Sequence, residues 1–156
     1  MRNDIWLENR LEYIFRKYFS DIPATNQIHI KFGRNSYRQL GCIKSQSKSQ
    51  IKQIRENSPT IIVISGFFRD EEIPNFVIDG VIAHELSHYA HGFNSPLPQK
   101  HRNPHQGSVI KKELSKRGVS NLEIKQKKWI KENWQKYVSG RLPKRKKRRQ
   151  IIIRFK

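Results

Sequence analysis

The stretch Pro74-Asn75-Phe76-Val77-Ile78-Asp79-Gly80-Val81-Ile82-Ala83-His84-Glu85-Leu86-Ser87-His88-Tyr89-Ala90-His91 decides how this chain is read. Pro74 suits a first helical turn and Gly92 suits a helix stop, so the spacing predicts a helix over 74–91. Phe76, Val77, Ile78, Val81, Ile82, Ala83, Leu86 and Ala90 make most of its circumference apolar, so the helix is expected to be buried. Inside it, His84-Glu85-Leu86-Ser87-His88 spells H-E-x-x-H. Residues four apart share a helix face, so the two imidazoles can converge on one cation. Glu85 projects about 100° away from His84, within reach of a water on that cation. The chain's six His and nine Glu predict only about 0.01 chance occurrences of the pattern, which argues against coincidence. Burying two imidazoles and a carboxylate without partners is costly, and a metal removes that cost. The expectation is a catalytic Zn2+ in a hydrolase of peptide bonds.

A catalytic zinc takes three protein ligands and leaves one position open. His91 lies on the face of His84 and His88, but the distance along the axis from His84, about 10 Å, is too long for one ion. The longer pattern H-E-x-x-H-x-x-G-x-x-H would require Gly at 91 and His at 94, where the chain has His91 and Asn94. Three candidates remain. His105 is favoured, because it stands where a loop enters the next helix; His101 and Glu113 stay open.

Charge is the second feature. Lys and Arg outnumber Asp and Glu by 32 to 13 in 156 residues, a formal net charge of +19. Such an excess favours a polyanionic partner, nucleic acid first and a membrane surface second. A single cysteine, Cys42, excludes an internal disulfide framework and a zinc ribbon. The amino terminus lacks a signal-peptide core, and no apolar run approaches the ~20 residues that span a bilayer. These features predict a soluble intracellular protein, cytoplasmic or nucleoid-associated, or nuclear in a eukaryote, with no membrane and no small-molecule cofactor.

Around the motif, Asn3-Asp4 can cap a helix carrying Leu7, Leu11, Ile14, Phe15, Tyr18 and Phe19 at helical spacing. Ile28, Ile30 and Phe32 alternate with polar residues as in a half-buried strand. Residues 40–44 form a shorter strand candidate, with Gly41 at a bulge. Residues 60–65, TIIVIS, are the strongest strand and are expected at the centre of the sheet. The polar residues between 44 and 59 suit a hairpin or loop. The irregular stretch 93–104 holds three prolines, and a loop of that length usually carries function. Residues 105–117 read as a short helix ended by Gly118. A Ser120–Glu123 capping box opens another helix, reaching about Ser139, with Gly140 as its stop. The fold class is therefore α+β: a small sheet packed against an N-terminal helix and the motif helix, followed by C-terminal helices. Residues 1–140 form one domain.

Residues 141–156 form a basic tail with nine cations and no acid. Its core, Lys144, Arg145, Lys146, Lys147, Arg148 and Arg149, is the nucleic-acid-binding candidate. No aromatic lies between Tyr137 and Phe155, so non-specific phosphate contact is expected rather than base stacking. Ile151, Ile152 and Ile153 could add an edge strand or dock.

With these residues in view, about 28–118 resemble the SprT-like zinc metallopeptidase domain, the family that includes the Spartan DNA–protein crosslink proteases. Strand 61–65, the His84-Glu85-x-x-His88 helix and the later His105-x-Gly107 opening a helix carry the resemblance; Gly33-Arg34 and Leu40-Gly41 add to it. The resemblance implies a zincin-like fold, zinc on His84, His88 and His105, and Glu85 as catalytic base. Many members carry a C-terminal zinc ribbon that binds DNA; here a basic tail stands in that place.

The implied chemistry is single-metal hydrolysis, with Glu85 taking the proton of an activated water. Tyr89, His91, Arg34 and His101 are candidate donors to the oxyanion. The leading reading is a zinc endopeptidase acting on DNA-bound or DNA-crosslinked proteins. The alternative is a nucleic-acid-binding protein whose zinc is structural or regulatory. Glu85 speaks against the alternative, since a closed four-ligand site has no use for it. A third possibility, a general zinc peptidase, predicts turnover indifferent to DNA.

Overall fold

The β-branched run Thr60–Ile64 forms the middle strand, β3, of a three-stranded sheet ordered β1-β3-β2. Strand β1 (Ile28–Phe32) runs parallel to it and β2 (Gly41–Ser45) antiparallel. In this computed structural model, residues 1–49, 51, 54 and 57–141 are described. The tail cations Lys144–Arg149 and the Ile151–Ile153 run therefore lie outside the described residues.

Alternation along β3 explains its two faces. Thr60, Ile62 and Ile64 are buried, while Ile61 and Val63 are half-buried, as expected when one face meets helices. The covering helices are α1 (Asp4–Tyr18) and α2 (Asn75–Ala90). Leu7, Leu11 and Ile14 of α1 join Ile30 and Phe32 of β1 and Ile78, Ile82 and Leu86 of α2 in one core. Each such side chain contributes roughly 1.5–3 kcal/mol when fully buried. The result is a small α+β domain built around α2, 13 of whose 16 residues are buried. Among the described residues no helix is long and apolar enough to cross a membrane.

Local chemistry sets the ends. Asn3 caps α1, its side-chain oxygen accepting from Trp6 N at 2.8 Å. Ser65 leaves the strand and caps a 3-10 turn, Gly66–Arg69, that leads toward α2. Arg2 holds this connection: its buried guanidinium donates to the carbonyls of Phe68, Asp70 and Ile73 and to Asn75 Oδ1. Pro74 is the N-cap of α2 rather than its first residue. Gly92 takes φ +82°, the left-handed conformation that ends a helix without a Cβ penalty.

Three further expectations are corrected. Gly41 sits at no bulge, because the β2–β3 register runs unbroken from Gly41 opposite Ile64 to Ser45 opposite Thr60. The helix expected from 105 begins later: a short 3-10 turn, Gln106–Ser108, precedes α3 (Val109–Lys116), with Gly107 and Ser108 both left-handed. The capping box does not form. Val119 is the N-cap of α4 (Ser120–Trp129) without a side-chain bond, and Glu123 pairs forward with Lys127 instead. Beyond α4 a π turn over Ile130–Trp134 leads into α5 (Gln135–Ser139), so the helical path continues to Ser139 as expected.

Candidate metal centre

Helix α2 delivers His84 and His88 one turn apart, and their Nε2 atoms face each other at 3.2 Å. Two nitrogens bound to one tetrahedral zinc at about 2.05 Å would stand about 3.3 Å apart, so the pair is already spaced for a shared ion. His105 comes from the N-cap of the Gln106–Ser108 turn. Its ring lies 5.4 Å from that of His84 and 4.7 Å from that of His88. One ligand atom from each of the three lies within 4.8 Å of the others, and among the described residues this is the cluster of such groups able to hold a metal.

The protonation states suit ligation. Burial pushes His84 down to about 4 and His88 down to about 3, with neighbouring imidazoles adding to the shift. Both rings are therefore neutral at pH 7, the form that binds a metal. His88 Nδ1 is buried with no hydrogen-bond partner among the described residues. The facing Nε2 atoms of His84 and His88, with the His105 ring beside them, are what a shared cation would use. These residues fit zinc.

Glu85 is 5% exposed, and burial raises its carboxyl to about 7. A pKa near neutrality is the value that general-base chemistry at pH 7 would require of a carboxylate. Its space is made by Gly41. A β-carbon at position 41 would lie 2.7 Å from Glu85 Oε1 and 2.7 Å from Val81 Cγ1. This residue was missed as a site residue, and glycine inside a strand was the available signal, since it can mark a close approach as well as a bulge.

The other candidates are drawn elsewhere. His91, 2% exposed, meets Glu113 Oε2 through Nε2 at 3.0 Å. Glu113 Oε1 accepts from Arg117 Nε at 2.7 Å, and Arg117 also reaches Asp21. Glu113 is thus held in an ion-pair network away from the three-histidine cluster. His101 packs its ring 5.0 Å from that of His91. Tyr89 is fully buried and donates to Asn26 Oδ1, so neither Tyr89 nor His91 is placed as an oxyanion donor.

The loop after α2 is tied down at its start. Phe93 N donates to His88 O, Asn94 Nδ2 to Ile43 O of β2, and Ser95 Oγ to Tyr89 O. Phe93 thereby stands edge-on to His88 at 6.1 Å, an aromatic wall that spacing alone did not reveal. Comparison of the chain with protein-family models, with curated proteins and with solved structures found no match.

Proposed function

We propose that this chain is a zinc-dependent endopeptidase of the SprT-like type, zincin-like in the placing of its motif helix against the sheet, acting on DNA-bound or DNA-crosslinked proteins. The observation that carries the reading is the convergence of His84, His88 and His105 beside the buried carboxylate of Glu85. The three imidazoles would hold the ion. Zinc held there would supply Lewis acidity for activating a water and polarising a carbonyl.

Glu85 accepts the proton of the attacking water at its carboxylate and returns it to the leaving amine. Gly41 lies against that carboxylate, and the burial of Glu85, which is 5% exposed, strengthens the charge interactions that drive the transfer. A structural zinc site gives such a carboxylate no task, so Glu85 favours turnover over a purely structural ion.

The DNA part of the reading rests on charge. Eight of the 32 cations lie beyond Arg141, and the rest still outnumber the 13 acids. Non-specific phosphate contact would concentrate protease and DNA-held substrate together, inside the cell and on its nucleoid or in its nucleus. Degradation of casein and histone by zinc-loaded protein, with and without DNA, tests this. DNA-stimulated cleavage supports the reading; cleavage indifferent to DNA leaves a general zinc peptidase.

A further inference from the structure

Beside His84 and Glu85 the surface opens into a cleft of about 500 Å³, walled on one side by the segment before β2 and on the other by α4 and the π turn. Its volume suits a few residues of extended peptide. Three of its lining side chains are cations: Arg38 on the first wall, Lys127 and Lys131 on the second. Glu85 is its single carboxylate. Lys127 is paired with Glu123, which lies outside the lining. Arg38 and Lys131 make no ion pair among the described residues, and the Arg38 guanidinium rests over the Tyr37 ring at 5.3 Å. Both therefore present charge to whatever occupies the cleft.

The occupant must bring a peptide bond to Glu85, so the walls face the side chains on either side of the scissile bond. We infer that the cleft selects acidic peptide segments and disfavours lysine- and arginine-rich ones, with Arg38 and Lys131 as the specificity-determining residues. This inference rests on the peptidase reading. Opposite charges across the cleft gain modest energy each, while like charges juxtaposed there cost more, so discrimination arises from both signs. It runs against the preference that attraction to DNA alone would suggest, since DNA-bound proteins are commonly basic.

The test uses the full zinc-loaded chain and three matched peptides carrying Glu, Gln or Lys on both sides of one apolar centre. The expected order of kcat/KM is Glu, then Gln, then Lys, spanning about tenfold at low salt. Arg38→Glu with Lys131→Glu should reverse the order; Lys31→Glu, on the opposite sheet edge, should leave it unchanged. Binding of the same peptides to zinc-loaded Glu85→Gln, read by fluorescence anisotropy, separates the two claims. Preferential binding of the Glu peptide with no cleavage by the native chain sinks the peptidase reading and keeps the selection of acidic segments. Equal kcat/KM for all three peptides overturns that selection and keeps the peptidase. If a single-stranded oligonucleotide occupies the cleft in an Arg38- and Lys131-dependent way while the peptides go undiscriminated, the cations serve phosphate and the inference is wrong.

Discussion

Gly41 of β2 lies against Glu85 of α2 so closely that a β-carbon on the strand would stand 2.7 Å from the carboxylate oxygen. Sheet and motif helix therefore share one atom-scale fit, and the missing side chain is what lets the carboxylate sit buried beside the histidines. Gly41→Ala should displace Glu85 or Val81. Misplacing a reacting group by about 1 Å can cost on the order of 100-fold, so kcat is expected to fall at least about tenfold. Zinc content should stay at the wild-type level, because the atoms nearest a β-carbon at position 41 belong to Glu85 and Val81. Wild-type turnover in this variant would mean that the close fit is incidental.

Burial of Glu85 carries a stability consequence with a definite sign. Its folded pKa, about 7, lies above the ordinary 4.5, so the folded state resists ionising it. The penalty is absent below about pH 4.5, grows as pH rises, and is complete above about pH 7. In the metal-free protein Glu85→Gln should therefore gain stability relative to wild type between pH 4.5 and pH 8, by up to about 3 kcal/mol. Denaturant midpoints of both chains at the two pH values measure this. A difference that does not change with pH would show that the carboxylate is solvated.

The contact of His91 with Glu113 separates ligand from scaffold. His105→Ala should lose the bound zinc, whereas Glu113→Ala and His101→Ala should keep it. Glu113→Ala should still destabilise the fold by about 3 kcal/mol, because it leaves His91 and Arg117 buried with fewer partners. Metal stoichiometry and thermal melts of the three variants decide. Zinc lost from Glu113→Ala and retained by His105→Ala would reverse the assignment.

Salt should govern DNA affinity. Neutralising about six phosphates by Lys144–Arg149 implies a slope of log K against log[salt] near −5 on duplex DNA. Alanine at all six positions should flatten the slope by about that amount. An unchanged slope would assign the contacts to the folded domain.

What the chain disclosed in advance depended on range. Helix α2 was readable because its apolar residues, Pro74, Gly92 and the His84–His88 spacing all lie within one segment. The β-branched run of β3 was readable for the same reason. His105 was favoured on position alone, and the left-handed backbone at Gly107 and Ser108 just beyond it leaves no periodic trace in a sequence. Gly41 was mistaken for a bulge because strand and collision partner are 44 positions apart in sequence. Ser120 and Glu123 had the letters of a capping box, yet Lys127 one turn on won the carboxylate. Arg2 stood in an unremarkable charged terminus, and only its four acceptors around the turn before α2 give it a role.

The central claim is that Glu85 performs proton transfer at a zinc held by His84, His88 and His105. Its most direct test is casein turnover by wild type and Glu85→Gln at equal, verified zinc content and in the presence of DNA. The account predicts one zinc per chain in both, cleavage by wild type, and a loss of at least about 100-fold in the variant. A zinc-loaded Glu85→Gln chain that cleaves at the wild-type rate would contradict it.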